Sequence, residues 1–170
     1  MEKVFKKILP KHISDNVFKA IGDDWMLISA GNMKSWNTMT ASWGTLGILW
    51  NIPIAICFIR PQRYTYEFAE RSDYYTLSFF GNEHREILNF CGTRSGRDYD
   101  KADETGLKVF ETEHGNIGFE QARLILECKK IYADNIRPEN FILEDLIPKN
   151  YPKKDFHRFY IGKLENVLIK

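Results

Sequence analysis

The residues best suited to chemistry in this chain lie close together, between positions 37 and 65. The first part of this stretch, residues 37–44, reads N-T-M-T-A-S-W-G and is small, hydroxylated and uncharged. The last part, residues 60–65, reads R-P-Q-R-Y-T and carries two arginines and a threonine just before a predicted helix. Small polar residues suit a flat polar ring, and arginines at a helix N-terminus suit a phosphate. The pattern therefore predicts a ligand that has both groups.

The 37–44 segment has the features that hold a flavin ring. An isoalloxazine ring carries several hydrogen-bond acceptors and one donor, so backbone groups and short side chains must approach it closely. Thr40, Ala41 and Ser42 allow that approach, and Trp36 and Trp43 can supply aromatic walls. The alternative interpretation is an ordinary threonine-rich strand with a core tryptophan.

The 60–65 segment has the features of a phosphate site. A strand is predicted to end at Ile59, and a helix to begin at Thr65, whose hydroxyl either caps the helix or binds the phosphate. The free N–H groups of a helix N-terminus attract anions, and Arg60 or Arg63 can bind phosphate oxygens through paired hydrogen bonds. The alternative is a solvated basic loop.

Two later segments add candidate residues. Residues 91–101 read C-G-T-R-S-G-R-D-Y-D-K, and their cations, glycines and hydroxyls form either an anion pocket or a salt-bridged loop. Residues 155–162 read D-F-H-R-F-Y-I-G and place His157 at the start of a strand. A histidine in that position is either structural or catalytic.

The elements that must position these residues are mostly strands. Apolar runs and period-two alternation predict strands at 25–30, 38–43, 52–59, 75–80, 122–132 and 159–169. The last strand is expected to be interrupted by Gly162, and Gly44 and Gly47 are expected to loosen the backbone after the second strand.

Short helical segments are predicted between some of the strands. They lie at 15–21, 65–70 and 83–91, with broken turns in 92–106 and one further turn at 138–143. Ser14 or Asp15 is expected to cap the first helix. Strands and helices do not alternate regularly, and no glycine-rich dinucleotide motif follows a strand. The pattern favours a mainly β fold, an antiparallel barrel with helical insertions, in a single domain over residues 1–170.

Composition excludes several classes of function. A net charge of +1 gives the whole protein no electrostatic attraction to nucleic acid. No apolar run approaches the ~20 residues that a membrane span needs. No signal peptide is evident, so a cytoplasmic protein is expected. Cys57, Cys91 and Cys128 are an odd, widely spaced set, which indicates buried free thiols. The histidines are scattered as well, so no metal site is predicted.

Together these segments resemble the flavin reductase-like, FMN-binding split-barrel family, of which flavoredoxins are one branch. The resemblance covers roughly residues 25–162 and is strongest in three motifs: N-T-M-T-A-S-W-G at 37–44, R-P-Q-R-Y-T-Y-E-F at 60–68, and L-N-F-C-G with S-G-R-D at 88–98. The resemblance implies a six-stranded antiparallel Greek-key split barrel, a homodimer, and FMN held at or near the subunit interface.

The resemblance also assigns residues to the cofactor. It places the isoalloxazine ring along the first motif and the ribityl phosphate near the second motif, the S-G-R-D segment and the lysine that follows. The implied FMN-binding residues are Asn37, Thr38, Met39, Thr40, Ala41, Ser42, Trp43, Arg60, Gln62, Arg63, Thr65, Arg97 and Lys101.

His157 inherits a catalytic role from the same resemblance, because a family histidine in a G-D-H-T motif lies near the flavin or the nicotinamide. This chain departs from that motif. Phe156 separates Asp155 from His157, and Lys154 stands in place of the glycine.

The function implied is an oxidoreductase that passes hydride or electrons from NAD(P)H, or from an iron–sulfur redox partner, through FMN to an acceptor. One alternative is a flavoredoxin-like electron carrier without turnover of its own. Another is a single-stranded nucleic acid binder, because Tyr64, Tyr66 and Phe68 interleave with Arg60 and Arg63, although the near-zero net charge counts against it. A third is a structural barrel with an empty pocket.

Overall fold

A computed structural model describes residues 5–170 of the chain as one large antiparallel sheet, a small hairpin and several short helices. The strands are β1 (Lys6–Ile8), β2 (Met26–Asn32), β3 (Ser35–Ala41), β4 (Gly44–Leu49), β5 (Ile52–Ile59), β6 (Tyr74–Phe79), β7 (Val109–Glu111), β8 (Ile117–Phe119), β9 (Leu124–Asn135) and β10 (Arg158–Ile169). The helices are α1 (Tyr64–Arg71), α2 (Arg85–Thr93), α3 (Lys101–Thr105) and α4 (Leu146–Asn150). A π-helical turn covers Lys19–Asp24, and 3₁₀ turns cover Pro10–His12, Asn82–His84 and Pro138–Asn140.

The large sheet curls until its two ends share one core. Its strand order is β3-β2-β6-β9-β10-β5-β4, with β1 added beside β10. Met39 of β3 and Cys57 of β5 belong to the same buried cluster, although they lie toward opposite ends of this order. A sheet buries residues of both ends together by closing on itself. The mainly β class and the antiparallel barrel are confirmed, although the sheet has eight strands rather than the expected six.

The curl depends on bends in the two longest strands. β9 and β10 pair along their lengths, but the register shifts between Ile161 and Gly162 and once more further along. Such β-bulges bend a strand and increase its twist. A Cβ at Gly162 would lie 2.6 Å from Tyr75 Oη and 2.7 Å from Cys128 Cβ, so the glycine admits both side chains against the backbone. The predicted interruption at Gly162 is therefore a bulge inside one continuous strand.

Strand β2 is buried on both faces, which explains its continuous apolar sequence. Met26 and Ile28 belong to the barrel core. Leu27 belongs to a second core on the outside, together with Leu88 of α2 and Phe119 of β8. Successive side chains of a strand point to opposite faces, so a covered outer face demands apolar residues throughout. The second core holds α2 against the barrel, and this places the loop after α2 beside β3.

Two helix starts differ from the predictions. Asn16 Oδ1 accepts hydrogen bonds from the backbone N–H groups of Phe18 and Lys19 at 3.1 and 3.2 Å, so neither Ser14 nor Asp15 is the cap. Helix α1 begins at Tyr64 with Arg63 at the N-cap position. The expectation that Thr65 caps this helix is wrong, because its buried hydroxyl accepts a hydrogen bond from Asn37 Nδ2 at 2.8 Å.

Strand β4 corrects the interpretation of Gly44 and Gly47 as a loosened backbone. Both glycines lie in β4, which pairs with β5 from Gly44 opposite Cys57 to Leu49 opposite Ile52. A Cβ at Gly44 would lie 2.8 Å from the carbonyl oxygen of Ile56, so the glycine permits close approach of two strands.

Strand β1, the short hairpin of β7 and β8, and helix α4 were not predicted from the sequence. All three cysteines are free and buried, as expected. Within residues 5–170, none of the helices has the length and apolar character needed to cross a membrane.

Candidate functional site

A cleft opens where the end of β3 meets the β5–α1 loop and the α2–α3 loop. It consists of three adjoining cavities that share lining residues. The anion pocket, about 130 Å³, is lined by Gln62, Arg63, Tyr64, Thr65, Gly92, Thr93, Arg94, Ser95, Gly96 and Lys101. The ring pocket, about 220 Å³, is lined by Met39, Thr40, Ala41, Ser42, Trp43, Phe58, Arg60, Arg63 and His157. The side pocket, about 250 Å³, is lined by Trp25, Thr40, Ala41, Ser42, Leu88, Asn89, Gly92 and Thr93.

Lys101 is a buried cation at the back of the anion pocket. It is the first residue of α3, and Asp100 caps that helix by accepting from two backbone N–H groups. The Lys101 ammonium donates to the carbonyl oxygens of Thr38 at 2.7 Å and Cys91 at 2.9 Å. An ammonium has three N–H donors, so one is left for a further acceptor. Burial lowers the pKa of Lys101 to about 8.

Arg63 lies between the anion pocket and the ring pocket and lines both. Its guanidinium donates to the carbonyl oxygens of Gly92 at 2.9 Å and Cys91 at 3.4 Å. Burial lowers the pKa of Arg63 as well. Within residues 5–170, neither Arg63 nor Lys101 has a carboxylate partner. Two cations that are withdrawn from water without a counter-ion attract an anion, and carbonyl contacts alone leave their charge uncompensated.

Thr65 and Gly96 line the anion pocket, and Asn37 lies behind them. Thr65 Oγ1 accepts a hydrogen bond from Asn37, so its own O–H remains available as a donor. A Cβ at Gly96 would lie 2.0 Å from Asn37 Oδ1, so only glycine allows the loop after α2 to close over this amide. The Asn37 side chain thus joins β3, α1 and this loop, and it does not line the pocket itself.

The ring pocket combines a free strand edge with aromatic side chains. Among residues 5–170, β3 is the last strand in the order and pairs only with β2. Its other edge therefore offers backbone N–H and C=O groups, of which the Thr38 carbonyl already accepts from Lys101. Trp43 and Phe58 add aromatic surface beside His157, with ring centroids 5.1 and 6.3 Å from that of the imidazole. The arrangement suits a flat polar ring.

His157 is buried in the wall of the ring pocket. Its Nδ1 lies 2.9 Å from the hydroxyl oxygen of Tyr151. The pKa of His157 is lowered to about 4, mainly by burial and to a smaller extent by the positive charge of Arg60. The imidazole is therefore neutral at pH 7, and it can give or accept a hydrogen bond but is not a reservoir of positive charge.

Arg60 and Gln62 both donate to the carboxylate of Asp155, and of the two only Gln62 also lines the anion pocket. Arg60 Nη1 and Gln62 Nε2 both lie 2.6 Å from Asp155 Oδ2, and Arg60 Nη2 donates to the Asn150 carbonyl at 2.9 Å. Arg60 thus lines the ring pocket with its charge compensated, and it does not line the anion pocket.

The family relationship follows from a comparison of the whole sequence with known domains. The family model described as "Flavin reductase like domain" matches residues 19–168. This chain belongs to the flavin reductase-like domain family. A search of curated proteins gave no match for this flavin reductase-like chain.

Solved structures share the fold of this flavin reductase-like chain at low sequence identity. Flavoredoxin of Desulfovibrio vulgaris (Miyazaki F) is 20% identical with a TM-score of 0.68, over 97% of this chain and 76% of that one. An FMN-binding protein from Thermus thermophilus with bound p-hydroxybenzaldehyde is 19% identical with a TM-score of 0.67, over 96% and 78%. An FMN-binding domain of a flavin reductases-like enzyme from Shewanella baltica OS155 is 17% identical with a TM-score of 0.69, over 97% and 76%. These matches confirm the split-barrel fold.

Most residues that the sequence assigns to the cofactor line this cleft of the flavin reductase-like chain. They are Met39, Thr40, Ala41, Ser42, Trp43, Arg60, Gln62, Arg63, Thr65 and Lys101. Asn37 and Thr38 lie directly behind it and hold Thr65 and Lys101. Arg97 lies outside it, paired with Glu67 and stacked on Tyr64, with its guanidinium carbon 4.6 Å from the ring centre.

Several residues at the site were not assigned to the cofactor from the sequence, among them Arg94 and Phe58, which line the cleft, and Tyr151, which contacts His157. Arg94 lines the anion pocket. Its charge and its position in the 91–101 cluster, directly before S-G, could have identified it from the sequence. Phe58 lies inside an apolar strand, where nothing distinguishes it from a core residue. Tyr151 reaches His157 from a loop whose sequence carries no motif.

Proposed function

We propose that this chain is an FMN-binding redox protein of the flavin reductase type. The observation that carries the proposal is the anion pocket, where the buried Lys101 and the half-buried Arg63 have no carboxylate partner within residues 5–170. The pocket adjoins a second cavity that has a free strand edge and aromatic walls. A phosphate and a flat heterocycle joined by a chain fit this pair of cavities. FMN-binding proteins of the same fold support FMN over other flavins.

The residues of this chain divide the work of holding FMN. Lys101 and Arg63 compensate the phosphate charge, Arg94 adds a third cation at the mouth of the pocket, and the Thr65 hydroxyl donates a hydrogen bond. The free edge of β3 supplies backbone donors and acceptors to the ring edge, and Trp43 shields one part of the pocket from water. When bound, FMN supplies hydride and single-electron chemistry, and the protein supplies position and electrostatics.

The proposed reaction is transfer of hydride or electrons from NAD(P)H, or from an iron–sulfur redox partner, to an acceptor. Hydride transfer needs no acid or base from the protein, and the neutral His157 in the ring pocket is consistent with that. A flavoredoxin-like electron carrier is the second candidate, and flavoredoxins from Desulfovibrio vulgaris and Methanosarcina acetivorans share the fold.

An absorption spectrum of the purified protein tests the proposal. We expect bands near ~450 nm after incubation with FMN, and their survival through dialysis would indicate a prosthetic group. Bleaching by NADH or NADPH without oxygen would favour a reductase, whereas bleaching only by a reduced iron–sulfur protein would favour a carrier. A protein that stays colourless after incubation with FMN would contradict the proposed function.

The proposal extends to assembly and location. We propose a homodimer, because the β4–β5 hairpin carries Ile48 and Trp50 with 70% and 63% of their surface exposed.

A role in binding nucleic acid is not proposed, since Phe68 is buried and the Tyr64 ring packs edge-on against it. The three free cysteines fit the reducing cytoplasm.

A further inference from the structure

We propose that Tyr151 is a positioning residue for His157, and that its hydroxyl donates to Nδ1 and so holds the imidazole proton on Nε2. The Nε2–H group then faces the ring pocket and donates a hydrogen bond to an acceptor atom of the bound flavin, a role that rests on the proposed function. The two residues lie 2.9 Å apart at Oη and Nδ1, and both side chains are buried.

The direction of this hydrogen bond follows from the chemistry of the two groups. Burial raises the pKa of Tyr151, so its hydroxyl keeps a proton to donate. A neutral imidazole has one N–H and one unprotonated nitrogen. The unprotonated imidazole nitrogen is a far stronger base than a phenol oxygen, and the phenol is the stronger acid. An O–H···N bond is therefore favoured over an N–H···O bond, and the imidazole proton is left on Nε2.

Tyr151 is held firmly enough to impose this choice. It directly follows α4, and its backbone N–H donates to the Ile147 carbonyl at 2.7 Å. The Arg60 guanidinium lies 5.1 Å from the centre of the tyrosine ring and also donates to the Asn150 carbonyl. The ring centroid of Phe156 lies 4.7 Å from that of Tyr151. A tyrosine fixed on several sides presents its hydroxyl in one place.

The second imidazole nitrogen is open to the cleft. His157 lines the ring pocket, and within residues 5–170 its Nε2 has no hydrogen-bond partner. In that part of the chain, Ser78 Oγ is the only side-chain nitrogen or oxygen that is both inaccessible to solvent and without a hydrogen-bond partner. Nε2 is therefore accessible rather than enclosed in protein, and His157 lines the ring pocket. A neutral donor at this position stabilises an acceptor atom of a ring without adding a charge beside Arg60.

Nitrogen-15 NMR of the flavin-free protein tests the positioning role directly. Two-bond proton–nitrogen correlations of the imidazoles distinguish the two tautomers, and His157→Gln identifies the signals of His157 by their disappearance. In the native protein we expect the Nε2–H form to dominate. In Tyr151→Phe the ratio of the two forms should fall by about fivefold, which is the effect of one lost hydrogen bond.

Tyr74→Phe is the matched control, because Tyr74 stacks on His114 with ring centroids 5.1 Å apart and thus also pairs a tyrosine with a histidine. This change should leave the tautomers of His157 unaltered. A dominant Nδ1–H form in the native protein, or an unchanged ratio in Tyr151→Phe, would overturn the positioning role. The native spectrum decides the first point even if the variant fails to fold.

Adding FMN to the labelled protein tests the donor role. The Nε2–H resonance should shift on binding in the native protein, and shift less in Tyr151→Phe. Bound FMN, detected by its absorption, that leaves the resonance unmoved would overturn the donor role. A protein that binds no FMN would instead contradict the proposed function, while the tautomer measured without flavin would still decide the role of Tyr151.

Discussion

Lys101 is the residue whose environment says most about the ligand. Within residues 5–170 its buried ammonium donates only to carbonyl oxygens, and it keeps one donor for the anion pocket. In the ligand-free protein its pKa of about 8 lies below the unfolded value of 10.5. The folded chain thus holds one proton fewer between pH 8 and 10.5, and its free energy of unfolding should rise with pH in that window. A phosphate beside the ammonium would raise the pKa again.

The first prediction is that FMN binding weakens with alkaline pH. Below pH 8 Lys101 is protonated with and without ligand, so its contribution to the affinity is constant. Above pH 8 binding must take up a proton, and the affinity should fall by up to about tenfold per pH unit. Fluorescence titrations of FMN from pH 6 to pH 10 measure this slope.

Riboflavin and Lys101→Met are the controls for this titration. Riboflavin has no phosphate, so its affinity should not show the fall. Lys101→Met should bind FMN more weakly at pH 7 and should lose the slope above pH 8. An equal fall for both ligands would place the titrating group away from the phosphate.

The second prediction separates two arginines that look equivalent in the sequence. Arg63 lines the anion pocket without a carboxylate, whereas Arg60 is neutralised by Asp155. Arg63→Ala should weaken FMN by about 10- to 100-fold, as expected for a lost charge-assisted hydrogen bond, and should weaken riboflavin much less. Arg60→Ala, the matched control, should weaken both ligands to a similar degree. Isothermal titration calorimetry with both ligands decides this. Equal losses for Arg63→Ala would remove it from the phosphate site.

At the scale of elements, the β7–β8 hairpin depends on one buried carboxylate. Glu127 of β9 is fully buried and accepts hydrogen bonds from Thr112, from the backbone of His114, from Asn116 at 2.7 Å and from Asn166 at 2.6 Å. These contacts join the hairpin to β9 and β10. The hairpin in turn contributes Ile117 and Phe119 to the second core, which holds α2 beside the cleft.

The third prediction is that Glu127→Ala destabilises the protein strongly. The change leaves several buried donors without an acceptor, so the free energy of unfolding should fall by about 3 kcal/mol. Urea denaturation measures this change. Glu120→Ala, an exposed site at the end of the same hairpin, should change it by less than about 0.5 kcal/mol. Similar effects of the two changes would mean that the network adds no stability.

Elements could be predicted where their own sequence is periodic. β2, β5, β6, β9 and β10 have runs long enough to show a pattern. β7 and β8 have three residues each and are held by Glu127 from a different strand, so no local signal marks them. The prediction that Thr65 caps α1 was wrong because the Thr65 hydroxyl accepts a hydrogen bond from Asn37, which lies 28 positions earlier.

At the scale of the whole molecule, the exposed β4–β5 hairpin is the feature that points to a partner. β4 ends the strand order, so one of its edges has no neighbouring strand in the described part of the chain, residues 5–170. The turn holds Trp50 and Asn51 in the left-handed region, with φ of 51° and 58°, which presents the tryptophan outward. An unpaired edge beside large apolar side chains favours association with another chain.

The fourth prediction is that a charge on this hairpin dissociates the proposed dimer. Ile48→Asp should raise the dimer dissociation constant by at least about tenfold, because it would bury an unpaired carboxylate. Sedimentation velocity over a concentration series measures this. Phe18→Asp makes a similar change at another exposed apolar site, 90% exposed, and should leave the association unchanged. A native protein that sediments as a monomer would contradict the homodimer.

The sequence by itself determined the strand pattern of the barrel, the family, and the two segments that line the cleft. These depend on apolar periodicity and on short motifs, which are local properties. Tertiary structure alone decided which cations remain uncompensated: Asp155 neutralises Arg60 from 95 positions away, whereas no carboxylate within residues 5–170 approaches Lys101 or Arg63. It also brought Tyr151 to His157. The charge of a site is a sum over groups that are close only after folding, so no motif contains it.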